Sequence, residues 1–210
     1  MNIIDIVESS RRFSWANVDC GLTQGEAAIL KHLQSQNDNF QEDEYCSVGN
    51  WVSWMENALV ELEEKITPFQ LPKEYKVFLE YYGGLSIDGI NSNFSVLGIS
   101  TMTEDWYSYL NQDNLHLWKA NICGWLRIGE LVFQRNHKHF GQRVIFYLDL
   151  ADFIQSGCVV ALGPWDGVNP RELVVLNNKN IQSNYLEKIS DSFDEWIELA
   201  IKTRGSFSYD

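Results

Sequence analysis

Three observations predict an α+β domain. Amphipathic stripes at helical spacing fill the stretch before Gly83. Short runs rich in valine, isoleucine, leucine and aromatics follow between residues 94 and 176, and one more helical stripe closes the chain. Helices, then an antiparallel-looking run of strands, then a helix: the implied architecture is an antiparallel or mixed central sheet packed with N-terminal and C-terminal helices.

The elements can be justified in order. Thr23-Gln-Gly-Glu26 fits a capping box, so a helix is expected from about Gln24 to Ser35, burying Ala27, Leu30 and Leu33. Ser35–Glu44 is polar, acidic and nearly free of apolar residues, and reads as a linker. From about Trp51 to Ile66 the residues Trp51, Met55, Ala58, Leu59, Leu62 and Ile66 share one helical face, with Glu56, Glu61, Glu63 and Glu64 turned elsewhere. In Leu71–Gly84, Pro72 suits a helix start, Tyr75, Phe78, Leu79 and Tyr82 form the apolar stripe, and Gly83 is expected to end the helix in the left-handed conformation. Strands are expected at Phe94–Ile99, Trp125–Phe133, Arg143–Asp149, Cys158–Leu162 and Glu172–Leu176, with 134–142 as a hairpin loop. Trp106–Trp118 fits either a short helix or irregular structure. Pro164-Trp-Asp-Gly167 reads as a turn. Ser192-Phe-Asp-Glu195 is a second capping box, starting a helix that buries Phe193, Trp196, Ile197, Ala200 and Ile201 and ends at Arg204 and Gly205. The expected division is a helical N-terminal extension over residues 1–48, able to pack on an α+β domain over residues 49–210.

Charge narrows the function classes. Sixteen basic residues face 29 acidic ones, a net charge of −13, and only residues 101–150 are balanced. Such a surface repels phosphate backbones and anionic headgroups, so neither direct nucleic-acid binding nor membrane binding is expected; a basic protein is the favoured partner. The N-terminus carries acids where a secretory signal carries lysine or arginine, and four scattered cysteines (Cys20, Cys46, Cys123, Cys158) include no Cys-x-x-Cys pair. Both features point to a cytoplasmic protein whose cysteines are small buried hydrophobes, and a monomer is the simplest state.

Chemistry-bearing patterns are sparse. No phosphate loop, nucleotide fingerprint, nucleophile elbow or His-Glu-x-x-His helix occurs. His137 and His139 lack a cysteine or acid nearby in sequence to complete a ligand set, and read as part of a solvated loop beside Arg135 and Lys138. Paired carboxylates such as Glu63–Glu64 and Asp194–Glu195 fall on polar helix faces. No catalytic residue, metal ligand or cofactor-binding residue is assigned, and no enzyme is expected.

Three segments resemble, in order, the motifs of the SUKH superfamily, named for fungal cell-wall-synthesis regulators and their bacterial relatives. Leu71-Pro-Lys-Glu-Tyr-Lys-Val-Phe-Leu-Glu-Tyr-Tyr-Gly-Gly84 resembles its "LPxxYxxFLxxxGG" helix. Val144-Ile-Phe-Tyr-Leu-Asp-Leu150 resembles its central strand with a hydrophobic–aspartate pair, and Ser192-Phe-Asp-Glu-Trp-Ile-Glu198 resembles its closing "SFxxWLE" helix. The resemblance runs from about Trp51 to Lys202. It implies a domain without catalytic residues, acting as an immunity protein that binds and neutralises a cognate polymorphic toxin domain, such as a nuclease, or else as a regulatory adaptor or scaffold. The motif residues Leu71, Pro72, Tyr75, Phe78, Gly83, Gly84, Phe193 and Trp196 read as structural.

An acidic protein can be steered into the basic groove of a nuclease and mimic its substrate's phosphates. The expected contacts are acids that local helix energetics do not explain. Glu42, Asp43 and Glu44 lie in the linker, and Glu61 and Glu64 sit near a helix C-terminus, where acids are unfavourable. Asp191 is next. Asp194 and Glu195 are favoured in a first helical turn whatever the function.

Overall fold

The computed structural model describes residues 2–25, 31, 35, 48–98, 125–152, 154–163 and 186–207. Among them are four helices, α1 (Ile3–Ser10), α2 (Val48–Ile66), α3 (Lys73–Tyr81) and α4 (Phe193–Lys202). Seven strands accompany them: β1 (Ala16–Cys20), β2 (Tyr82–Asp88), β3 (Ser92–Leu97), β4 (Trp125–Phe133), β5 (Arg143–Asp149), β6 (Val159–Leu162) and β7 (Leu186–Ser190). The strands form one sheet in sequential order, every neighbouring pair antiparallel. An α+β domain with an antiparallel sheet is therefore what the chain adopts.

Alternation along the strands makes one sheet face a core wall. In β3, Ser92, Phe94 and Val96 are buried while Asn93 is exposed. Phe94, Phe146 and Leu131 from the sheet share a core with Tyr75 and Phe78 of α3, Phe193, Trp196 and Ile197 of α4, and Met55 and Leu62 of α2. Trp196 is fully buried, with ring centroids of Phe146, Phe94 and Phe193 at 5.0, 5.1 and 5.8 Å. Space for that ring comes from Gly129, beside a register shift in β4. A Cβ on Gly129 would fall 2.4 Å from the Ser95 carbonyl oxygen and 2.9 Å from the tryptophan ring.

Residues 3–20 are built into the same unit. Ile3, Ile6 and Val7 of α1 join the core, and β1 pairs with β2. The Tyr82 hydroxyl donates to the Glu8 carboxylate at 3.1 Å.

Several expectations are corrected. Thr23 caps no α-helix starting at Gln24: residues Leu22–Gln24 form a 3-10 turn, and Gly25 leaves it at φ 79°. The rest of that helix, apart from Lys31 and Ser35, lies outside the described residues, as do Cys46, Trp106–Trp118, Cys123, Pro164–Gly167, Glu172–Leu176 and most of the linker. Gly83 does not terminate α3 in the left-handed region. Tyr82 is already extended (φ −130°), and β2 begins there. Close approach falls to Gly98 instead, where a Cβ would lie 2.3 Å from the Gly83 carbonyl carbon. The left-handed ending belongs to α4, where Arg204 and Gly205 have φ 51° and 72° and the Gly205 N–H donates to the Ala200 carbonyl at 2.7 Å.

Candidate interaction surface

Exposed acids were the expected contacts, and the structure sorts them. Glu42, Asp43 and Glu44 lie outside the described residues. On α2 the outward stripe is Ser53, Glu56, Asn57, Val60 and Glu64, spaced three or four residues apart and all exposed. Val60 is 55% exposed, an apolar side chain framed by two carboxylates. Glu64 therefore belongs to this stripe, whereas Glu61 is half-buried beside it. Glu63 bonds the Lys76 ammonium of α3 at 2.6 Å, which holds that lysine's pKa up. Glu56 and Val60 were not among the expected contacts, since those on α2 were chosen as acids near the helix C-terminus and Glu56 sits in mid-helix while Val60 is apolar.

Asp191 lies at the β7–α4 junction, on the rim shared by two surface depressions. One, of about 360 Å³, runs between β7 and α4 and includes Ile189, Glu195 and Leu199. The other, of about 250 Å³, is walled by Leu71 and Pro72, by Leu150 and Gly157, and by Ser192 and Phe193. All three sequence motifs therefore meet at one small depression. It is smaller than the roughly 300–1,000 Å³ of small-molecule sites, closer to the size of a partner's side chain.

The local chemistry builds these walls. Ser192 caps α4, its hydroxyl accepting the Glu195 N–H at 3.5 Å, but the Glu195 carboxylate accepts the Asp191 N–H (3.2 Å), one residue away from a true capping box. Asp149 at the end of β5 is fully buried, yet its carboxylate is committed to the backbone. It accepts N–H bonds from Ala151 (3.2 Å), Ile154 (2.6 Å) and Gln155 (3.2 Å), folding the 150–157 loop against the start of α3. The aspartate of the motif is thus a loop clamp.

Electrostatically the rim is acidic. Glu74, Asp191 and Glu195 line the depressions, with Lys188 as the one cation among the described lining residues. Lys188 pairs with Asp191, and that hydrogen bond raises its pKa. The remaining groups offer little for catalysis. The Cys158 thiol is buried and its pKa is raised, by burial first and then by Asp149, the opposite of an activated thiolate. Burial likewise raises the pKa values of Cys20, Tyr75 and Tyr82. The His137 ring stacks on Phe133 at 4.3 Å. Among the described residues no group of three or more His, Cys, Asp or Glu side chains is placed to hold a metal, and no helix is long and apolar enough to cross a membrane.

These features define an antiparallel α+β domain whose depressions and helix α2 both present acid. More particularly, the chain belongs to the SMI1/KNR4 family (SUKH-1), whose model matches residues 55–199, from within α2 to within α4. No curated protein and no solved structure matches the chain.

Proposed function

We propose that the protein is a non-enzymatic, cytoplasmic immunity protein that binds a basic toxin domain and occludes it with its acidic surface. The family includes toxin-immunity proteins and fungal regulators, which supports a binding role. The observation that carries the reading is the split between structural and surface residues. The motif residues Tyr75, Phe78, Phe193 and Trp196 are consumed by the core, while Glu56, Glu64, Asp191 and Glu195 stay exposed in a chain of net charge −13. Glu42, Asp43, Glu44 and Glu61 extend the proposed footprint.

Steering by this surface makes association the salt-sensitive step. Stopped-flow binding to the cognate toxin domain is expected to show an association rate falling about tenfold or more from low to physiological-plus salt, with dissociation changing far less. Charge reversal at Glu56, Glu64 and Asp191 should slow association and leave the melting temperature within a few degrees. Association insensitive to salt and to those reversals would place the interface elsewhere.

A further inference from the structure

The β4–β5 hairpin reverses the sign of the molecule. From Leu131 to Leu148 there is no acid, and Arg135, Lys138 and Arg143 are all exposed. Arg135 and Lys138 form no ion pair among the described residues. Arg143 reaches Glu130 only at 3.5 Å, while Arg127 holds that carboxylate at 2.9 Å. The Phe140 side chain at the tip is 59% exposed.

The tip is preorganised. Turn bonds run from His137 N–H to Gln134 (3.0 Å), from Phe140 N–H to His137 (3.0 Å) and from Gln142 N–H to His139 (2.9 Å). The His137 ring stacks on Phe133, and its Nδ1 accepts the His139 N–H at 3.1 Å. Gln134 ties the loop to the β2–β3 turn, donating its N–H to the Asn91 carbonyl at 2.8 Å and its side-chain amide to Asn93 at 2.7 Å. That turn contributes Ile90, 75% exposed. Asp88, the acid next to this turn, has Arg204 bonded to its carbonyl oxygen at 2.9 Å.

We infer that this hairpin tip, with the β2–β3 turn beside it, is a second docking surface that takes an acidic polypeptide segment carrying an apolar side chain. Arg135 and Lys138, without an ion pair among the described residues, provide the attraction, and an aromatic already turned to solvent costs little entropy to bury. Charge decides against a nucleic acid. Three cations displace few counterions, and the −13 background repels a long polyanion, whereas a short acidic segment needs to match only two or three charges. The surface differs in sign and place from the acidic one, so it stands independently of the toxin-binding reading.

Amide chemical shifts of the full chain would be followed by NMR at low salt while a glutamate-rich peptide with one central leucine is added. Shifts confined to residues 89–91 and 134–143 are expected. Affinity should drop about five- to tenfold in the double variant Arg135→Ala/Lys138→Ala, and about threefold or more in Phe140→Ala. These side chains sit in an exposed loop, and an unchanged melting temperature will confirm that the variants fold. Absent or scattered shifts would overturn the proposal, as would tighter binding of a single-stranded oligothymidylate of equal charge, which would make the occupant a nucleic acid.

Discussion

Trp196→Ala is expected to lose about 3–5 kcal/mol of stability. The ring is fully buried, and three aromatic rings have their centroids within 6 Å of it. Gly129 cannot refill the hole, because it has no side chain and the Ser95 carbonyl lies across its Cβ direction. Among the described residues the buried indole Nε1–H finds no hydrogen-bond partner, so Trp196→Phe, which removes that donor along with part of the ring, should cost far less than the alanine variant. Chemical denaturation of both variants checks this. Partner binding should be lost only in proportion to unfolding; a Trp196→Ala protein with unchanged stability and abolished binding would make this residue a contact.

Asp149→Ala should cost about 3 kcal/mol. Truncation leaves the amides of Ala151, Ile154 and Gln155 without their acceptor. Some of that loss is recoverable, since Ile154 and Gln155 are exposed and water can reach a loosened loop. Asp149→Asn should fall between the wild type and Asp149→Ala, retaining one acceptor oxygen and turning the other into a donor that faces N–H groups. Hydrogen exchange gives the specific readout: the Ile154 and Gln155 amides should lose protection in both variants, ahead of the core strands. Retained protection at these two amides in Asp149→Ala would show that something else holds the loop.

Elements whose sequence carries its own punctuation were legible before the fold was known. Pro72 with Tyr75, Phe78 and Leu79 located α3, Ser192 with Phe193, Trp196 and Ile197 located α4, and the β4 and β5 boundaries were read at the residues where they occur. The family was legible from the same residues, because core packing and motif coincide. Strands β1, β2 and β7 were not legible. Ala-Asn-Val-Asp-Cys and Leu-Glu-Lys-Ile-Ser hold few β-formers, and their pairing is a tertiary fact. The Gly83–Gly84 pair that signals a helix stop lies inside β2, because the backbone is already extended at Tyr82.

Site legibility divides the same way. Net charge directed attention to Asp191 and Glu64, which the fold leaves exposed. Periodicity already turns Glu56 away from the buried stripe of α2, but contacts on that helix were sought among acids near its C-terminus, and apolar Val60 carries no charge signal at all. Asp149 was visible as a motif residue, but its role depends on a loop folding back over five to six residues of sequence, and periodicity carries no trace of that.

Growth tests toxin neutralisation most directly. Cells would be induced to make a toxin domain encoded beside the gene for this protein, together with the wild-type chain or the charge-reversed variant at Glu56, Glu64 and Asp191. Immunity predicts growth restored by the wild type and restored poorly, at equal protein level, by the variant. Binding of the toxin domain without any restoration of growth would contradict neutralisation and leave the regulatory-adaptor role.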